Sequence, residues 1–208
     1  KTYFVNLEID IEKFSNSFNK IKKYIKTQHP KTVLLDYGGP NIGKPLHVGH
    51  LRSLNIGRSL YHMYKLAGHN VLSDIHIGDW GMPIAQIITY IEEKQINIEN
   101  INIGDLEKIY PEASKLYVEN DEFKKIAQAN NKRLNENDSK IFNKWKKLKK
   151  ISVKSIKETL KALNHSFDFW MGESDVNHLI PDMIQKLESE GKISIDAGAY
   201  VSNLVSEP

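Results

Sequence analysis

An unbroken apolar run, Val33-Leu34-Leu35, ends at Asp36 and passes through Tyr-Gly-Gly-Pro-Asn-Ile-Gly-Lys-Pro-Leu into His47-Val-Gly-His50. A short apolar run bounded by turn formers is the pattern of a strand buried on both faces. Residues 48–67 then read as a helix, with Ile56, Leu60, Met63, Tyr64 and Ala67 on one stripe and Gly68 as its stop. Asn70-Val-Leu-Ser-Asp-Ile-His76 reads as a second strand. Strand, helix and strand close within about 45 residues, the size of a βαβ unit with parallel strands. The expected fold class is α/β.

A strand that feeds a helix through a Gly/Pro loop offers an anion the helix's unpaired N–H groups and the positive end of its dipole. His47 and His50 add ring donors there, and Gly49 leaves room for a flat ring. Taken alone, the histidine spacing serves a metal-ligand pair or a solvated cap equally well. Its company, the preceding strand with Pro40-Asn41 and Lys44-Pro45, turns the reading toward a nucleotide.

The remaining sequence divides into four parts. Residues 1–30 form a helical segment whose Phe14, Phe18, Ile21 and Ile25 recur at helical spacing, so one face is expected to pack on something. Residues 31–96 hold the strand–helix–strand unit, a break at Gly78-Asp79-Trp80-Gly81 and a helix through Ile84, Ile87, Ile88 and Ile91, with Pro83 in its first turn. Residues 97–165 show only helical periodicity. Gly104-Asp105 offers a cap, Pro111 reads as a boundary, and Ile141, Trp145, Leu148, Ile156, Leu160 and Leu163 mark long amphipathic helices. Residues 166–208 return to mixed character. They carry Phe167-Asp-Phe-Trp170, a helix near 177–190, and short apolar runs at 193–195 and 199–205 that suggest a hairpin or sheet edge.

At 208 residues the chain is one large domain or a domain with an insertion, and no run of 18 apolar residues is present to span a membrane. Zero cysteines remove disulfides, thiolate metal sites and a cysteine nucleophile, and fit a cytoplasmic setting. The net charge of +3 is modest. Most of the local basicity is a lysine run, Lys140, Lys144, Lys146, Lys147, Lys149, Lys150, Lys154, Lys157 and Lys161, which suits a solvated helix face or a surface that meets a nucleic-acid backbone.

The block DYGGPNIGKPLHVGHLRSLNIGRSL, followed by GHNVLSDIHIGDWG, resembles class I aminoacyl-tRNA synthetases, and among them the arginyl-tRNA synthetase family. HVGH corresponds to that family's HIGH signature, and the likeness runs from about Thr32 to Val201 through FDFWMGES. The resemblance implies a Rossmann-like parallel sheet interrupted by a helical insertion, and activation of L-arginine with Mg2+-ATP before transfer to tRNA(Arg). It implies that Lys44, His47 and His50 serve the phosphates, that Gly49 admits the adenine, and that Asp36 and Asn41 face the amino acid. His76 and Asp79, at the end of the second strand, are expected on the substrate side, with Trp80 as packing. No metal site is expected beyond the Mg2+ carried with ATP, and a monomer is the favoured state.

The sequence departs from the family in two places. Gly81-Met-Pro-Ile-Ala85 stands where many relatives have GTQFG, and no KMSKS-like motif follows the helical stretch. The chain is therefore expected to be the first part of a catalytic domain, unable to aminoacylate alone. A stand-alone nucleotidyl-transfer or tRNA-binding paralogue is the alternative.

Overall fold

A computed structural model describes residues 8–196 and 198–202. Thr32–Asp36 forms β1 and Asn70–Ile77 forms β2, paired in parallel with Leu34 beside Leu72 and Asp36 beside Asp74. The helix between them, α2, spans Val48–Leu66 and ends at Ala67, with Gly68 at φ +89°, a value that suits glycine. The strand–helix–strand unit read from the sequence is present. Phe169–Gly172, β3, pairs in parallel with the other edge of β2, giving the order β1-β2-β3.

Around this sheet stand α1 (Ile11–Ile25), α3 (Met82–Glu93), α4 (Ile103–Glu119), α5 (Asp121–Asn135), α6 (Ser139–Ala162), α7 (Glu173–Val176) and α8 (Ile180–Ser189). Ser194–Asp196 and Ala199–Val201 form an antiparallel hairpin, β4 and β5, as the terminal apolar runs suggested as far as residue 202; residues 203–205 of that reading lie outside the described residues. Among the described residues no helix is long and apolar enough to cross a membrane.

All the core lies on one face of the sheet. Val71, Ser73, Ile75 and Ile77 of β2 point into it. Ile75 meets Leu54 of α2 with Ile156 and Leu160 of α6. Ile77 joins a larger cluster with Ile84, Ile87, Ile88 and Ile91 of α3, Leu106 and Ile109 of α4, Leu134 of α5, and Ile141, Trp145 and Leu148 of α6. The larger of these clusters draws side chains from both sides of residues 96/97, and α6 meets β2 at Ile75 in the smaller one.

The opposite face is open. Leu34 is 60% exposed and Phe169 44%, so the run at 33–35 is not buried on both sides. Among the described residues no element covers that face. The same holds for the stripe of α1, where Phe14, Phe18, Ile21 and Ile25 are all exposed. The stripe read on α2 is exposed as well at Ile56, Leu60, Met63 and Tyr64. The face of α2 that packs inward carries Leu54 and Gly57, with Leu51 and Tyr61 partly buried. A glycine and a tyrosine interrupt that stripe, which is why apolar periodicity selects the wrong side. Gly57 lies directly over Tyr37: a Cβ there would come within 2.1 Å of the ring.

Two further expectations are corrected. The cap of α4 is Asn102, whose side chain accepts from Gly104 N at 2.8 Å and Asp105 N at 3.2 Å. Pro111 sits inside α4, not at its end. A proline forfeits one helical hydrogen bond, and here the turns on either side are held by buried Leu106, Ile109 and Ala113.

Part of the lysine run is engaged within the fold, while Lys140, Lys150, Lys154 and Lys161 are exposed. Lys144 pairs with Glu92, Lys147 with Glu99 and Lys149 with Asp79, while Lys146 lies over Phe142 and Lys157 over Trp170. The contacts to Glu92, Glu99, Asp79 and Trp170 fasten α6 to its neighbours, while Lys146 covers a ring of its own helix.

Candidate active site

The loop between β1 and α2 is laced to the end of β2. Gly78 N donates to Pro40 O at 2.9 Å, Ile42 N donates to Gly78 O at 3.0 Å, and Asn41 forms a parallel bridge with Gly78. The Asn41 amide lies against Gly78 so closely that a Cβ at 78 would be 1.9 Å from its Oδ1. Gly43, buried, donates its amide to Ser152 Oγ of α6 at 3.0 Å. Lys44 leaves the loop with its ammonium 5.3 Å from the centre of the Tyr110 ring. A cleft of about 240 Å³ opens beside Asn41, lined by Trp80, Pro83, Tyr110 and Glu173 among others.

His47 and His50 cap α2 reciprocally. His47 Nδ1 accepts from Gly49 N at 3.1 Å, and His50 Nδ1 accepts from His47 N at 3.1 Å, with the two rings 4.1 Å apart. A ring nitrogen that accepts from a backbone N–H carries no proton. With Nδ1 accepting, the His47 ring carries its N–H on Nε2, beyond the helix start; His50 Nδ1 also lies 3.3 Å from His47 O, so either tautomer of His50 finds a backbone partner there. Gly49 makes this possible, since a Cβ there would lie 2.9 Å from His47 Cε1. Its missing side chain makes room for a flat ring, and here that ring is the imidazole of His47.

His50 titrates below the ordinary imidazole range, chiefly through burial, with the His47 ring and the Lys44 ammonium adding to the effect. His165, whose buried Nδ1 has no partner, is lowered by burial and then by Arg58. In the unfolded chain both take up a proton near pH ~6.5. Below that pH the unfolded state binds more protons than the folded one, so stability falls until the lower folded values are passed. The melting temperature should be flat above about pH 7 and decline from about pH 6.5 toward 5. The decline should be shallower in His165→Gln. A melting temperature that holds or rises across that window contradicts this account.

On the open face of the sheet, Asp36 lies beside Asp74 in register, and His76 Nδ1 is 3.6 Å from Asp74 Oδ2. Asp36 is exposed, Asp74 is buried, and Asp74 Oδ1 has no hydrogen-bond partner. The sequence reading did not single out Asp74. Its signal was there, an acid two residues before His76 and so on the same face of the strand.

Asp79 is not brought to that face. Its carboxylate is fully buried; Oδ1 accepts from Ser174 N at 2.9 Å and Oδ2 from Ser174 Oγ at 2.7 Å, with Lys149 paired to it. A strand-end position is not enough to aim a side chain at the cleft, because the chain turns inward at Gly78. Gly172 lies against the same carboxylate, where a Cβ would be 2.6 Å from Oδ2. Trp80 packs edge-on against Trp145 at 5.2 Å and donates Nε1 to Asn135 Oδ1 at 2.8 Å, the packing role expected of it. The described residues gather no group of three His, Cys, Asp or Glu side chains suited to hold a metal ion.

Comparison with known proteins agrees with this arrangement. Residues 13–207 match the family described as tRNA synthetases class I (R), catalytic domain. The arginine–tRNA ligase of Agathobacter rectalis is 34% identical over 221 residues, covering 97% of this chain and 37% of that protein. That of Yersinia enterocolitica is 33% identical over 205 residues, covering 95% and 36%. Among solved structures, the arginyl-tRNA synthetase of Plasmodium falciparum superposes with a TM-score of 0.63 at 26% identity, covering 88% of this chain and 31% of that one. The Thermus thermophilus arginyl-tRNA synthetase shares the fold, with a TM-score of 0.60 at 20% identity over 90% of this chain and 33% of that one. The chain thus spans little more than a third of the length of these curated relatives. With strand, loop, paired histidines and sheet order all in place, the chain belongs to the class I arginyl-tRNA synthetase catalytic-domain family.

Proposed function

We propose that this chain supplies the ATP- and arginine-binding part of an arginine–tRNA ligase, which joins L-arginine to ATP as arginyl-adenylate and passes it to tRNA(Arg) in the complete protein. The observation that carries the reading is the reciprocal histidine cap at the start of α2, with both rings taken to hold their N–H on Nε2, facing outward. When the arginine carboxylate attacks the α-phosphorus, negative charge grows on the phosphoryl oxygens and on departing pyrophosphate. Donors already fixed at those oxygens stabilise the transition state more than the ground state. His47 and His50 fill that role, and Lys44 reaches the outer phosphates as a point charge. The adenine lies beside the start of α2 at Gly49, next to the His47 ring that fills the space over the glycine. Mg2+ carried with ATP, and not held by a carboxylate cluster of the described residues, would neutralise part of the triphosphate charge.

Asn41 holds the amino-acid backbone, and Asp36 faces the guanidinium, for which a carboxylate is the matching fork partner. Asp74, beside it with an unpartnered oxygen, adds negative potential from below, and His76 borders the same face. The relatives are named arginine–tRNA ligases, which favours this reading over a stand-alone nucleotidyl-transfer or tRNA-binding paralogue. A monomer in the cytoplasm is part of the proposal.

The test is isotope exchange between pyrophosphate and ATP in the complete gene product with tRNA(Arg) present, the condition for every exchange measurement below. It should require arginine and respond poorly to citrulline, which has the same length without the charge. Asp36→Asn should raise the KM for arginine by about 10-fold or more, corresponding to at least ~1.4 kcal/mol, while the KM for ATP is held. Exchange that ignores the choice of amino acid would sink the proposal.

A further inference from the structure

Helix α6 lies outside the loop–histidine site, yet it holds both segments that carry the site. Trp145, Lys149 and Ser152 follow one another at helical spacings of four and three, a stripe about 10 Å long on one side of the helix. Trp145 Nε1 donates to Asp79 O at 2.7 Å. Lys149 pairs with the Asp79 carboxylate and donates to Ser174 Oγ at 2.9 Å. Ser152 Oγ receives the amide of Gly43 at 3.0 Å. The first two contacts fix the chain just past β2, whose Gly78 is laced to Pro40 and Ile42. The third fixes the loop itself between Asn41 and Lys44.

Ser152 is the informative member. It is fully buried in the middle of an amphipathic helix, where serine is a poor helix former and its hydroxyl needs a partner. An alanine or an aliphatic side chain would suit the helix better. The hydroxyl's partner is a buried backbone N–H one residue from Lys44 and four from His47.

We propose that Ser152 is a positioning residue, acting with Lys149 and Asp79, and that α6 sets the placement of the phosphate-facing loop through them. The catalytic part of this inference rests on the ligase reading above. Loss of the hydroxyl leaves the Gly43 amide buried without an acceptor, so the loop relaxes away from α6. A shift on the order of 1 Å is enough to cost up to about 100-fold in rate when the shifted groups face the transition state.

The test compares Ser152→Ala with Ile156→Val in the complete protein. Ile156 is buried one turn further along α6 in the cluster with Leu54 and Ile75 and has no polar side-chain atom to bond the loop backbone, so its truncation controls for weakened packing. Two readouts are taken. Amide hydrogen exchange over residues 38–46 should quicken in Ser152→Ala and not in Ile156→Val, whether or not the protein is active. Arginine-dependent exchange should lose at least about tenfold in kcat in Ser152→Ala, with both KM values within about threefold of wild type. Loop protection that is equal in the two variants overturns the proposal. A loosened loop with kcat retained overturns its catalytic part. Wild-type protein without arginine-dependent exchange defeats the ligase reading instead, and the hydrogen-exchange comparison still decides the role of Ser152.

Discussion

His50→Ala is expected to lower arginine-dependent ATP–pyrophosphate exchange in the complete protein by about 10²- to 10³-fold, the usual effect of removing one preplaced donor from a developing oxyanion. The KM for arginine should change little, because the ring does not face the amino acid. Alanine also removes an acceptor that receives His47 N, so part of the loss could come from a frayed helix start. His47→Asn separates the two effects. Asparagine is among the best N-cap residues and can still accept from the backbone, but it presents no ring N–H beyond the cap. That variant should melt close to wild type and still lose rate by a similar factor. If it retains the wild-type rate, the histidines are caps only, and their assigned role in catalysis is wrong.

Lys149→Met is expected to destabilise the fold by about 3–5 kcal/mol, the range found when one partner of a buried ion pair is removed. The Asp79 carboxylate is fully buried, and without the ammonium it keeps only the backbone N–H and hydroxyl of Ser174. Two neutral donors do not offset the desolvation of a buried charge. The effect should therefore belong to the unpaired carboxylate and not to lost packing, since methionine preserves much of the lysine stem. Adding Asp79→Asn to Lys149→Met removes the stranded charge and should recover more than half of the loss by chemical denaturation. A double variant as unstable as the sum of its singles would show that the pair is not energetically coupled.

How far the fold could be read in advance follows from where its signals lie along the chain. The β1–α2–β2 unit and α3 were legible because each is announced by residues a few positions apart: an apolar run, a glycine stop, isoleucines at helical spacing. The inward face of α2 was not legible, because Gly57 and Tyr61 carry contacts that hydrophobicity does not register. Nor was the membership of β3 in the sheet, since a four-residue strand is too short to show a period. The same distinction holds at the site. His47, Gly49 and His50 could be assigned to a helix start because capping is local. The destination of Asp79 could not, because its partners Lys149 and Ser174 stand 70 and 95 residues away. The lysines of α6 looked like surface charge for the same reason. Their acids, Glu92, Glu99 and Asp79, precede the helix in sequence and meet it only once the crossover is folded.

The most direct test concerns the protons on the paired histidines. In the complete protein with 15N-labelled histidine, spectra at pH 7.5 should show His47 and His50 as neutral rings protonated on Nε2, assigned by loss of each signal in His47→Asn and His50→Gln. Addition of ATP should shift both Nε2–H resonances while the backbone amide of Gly49 stays bonded to the His47 ring. Rings protonated on Nδ1, or Nε2–H resonances that ignore ATP, would contradict the account at its centre.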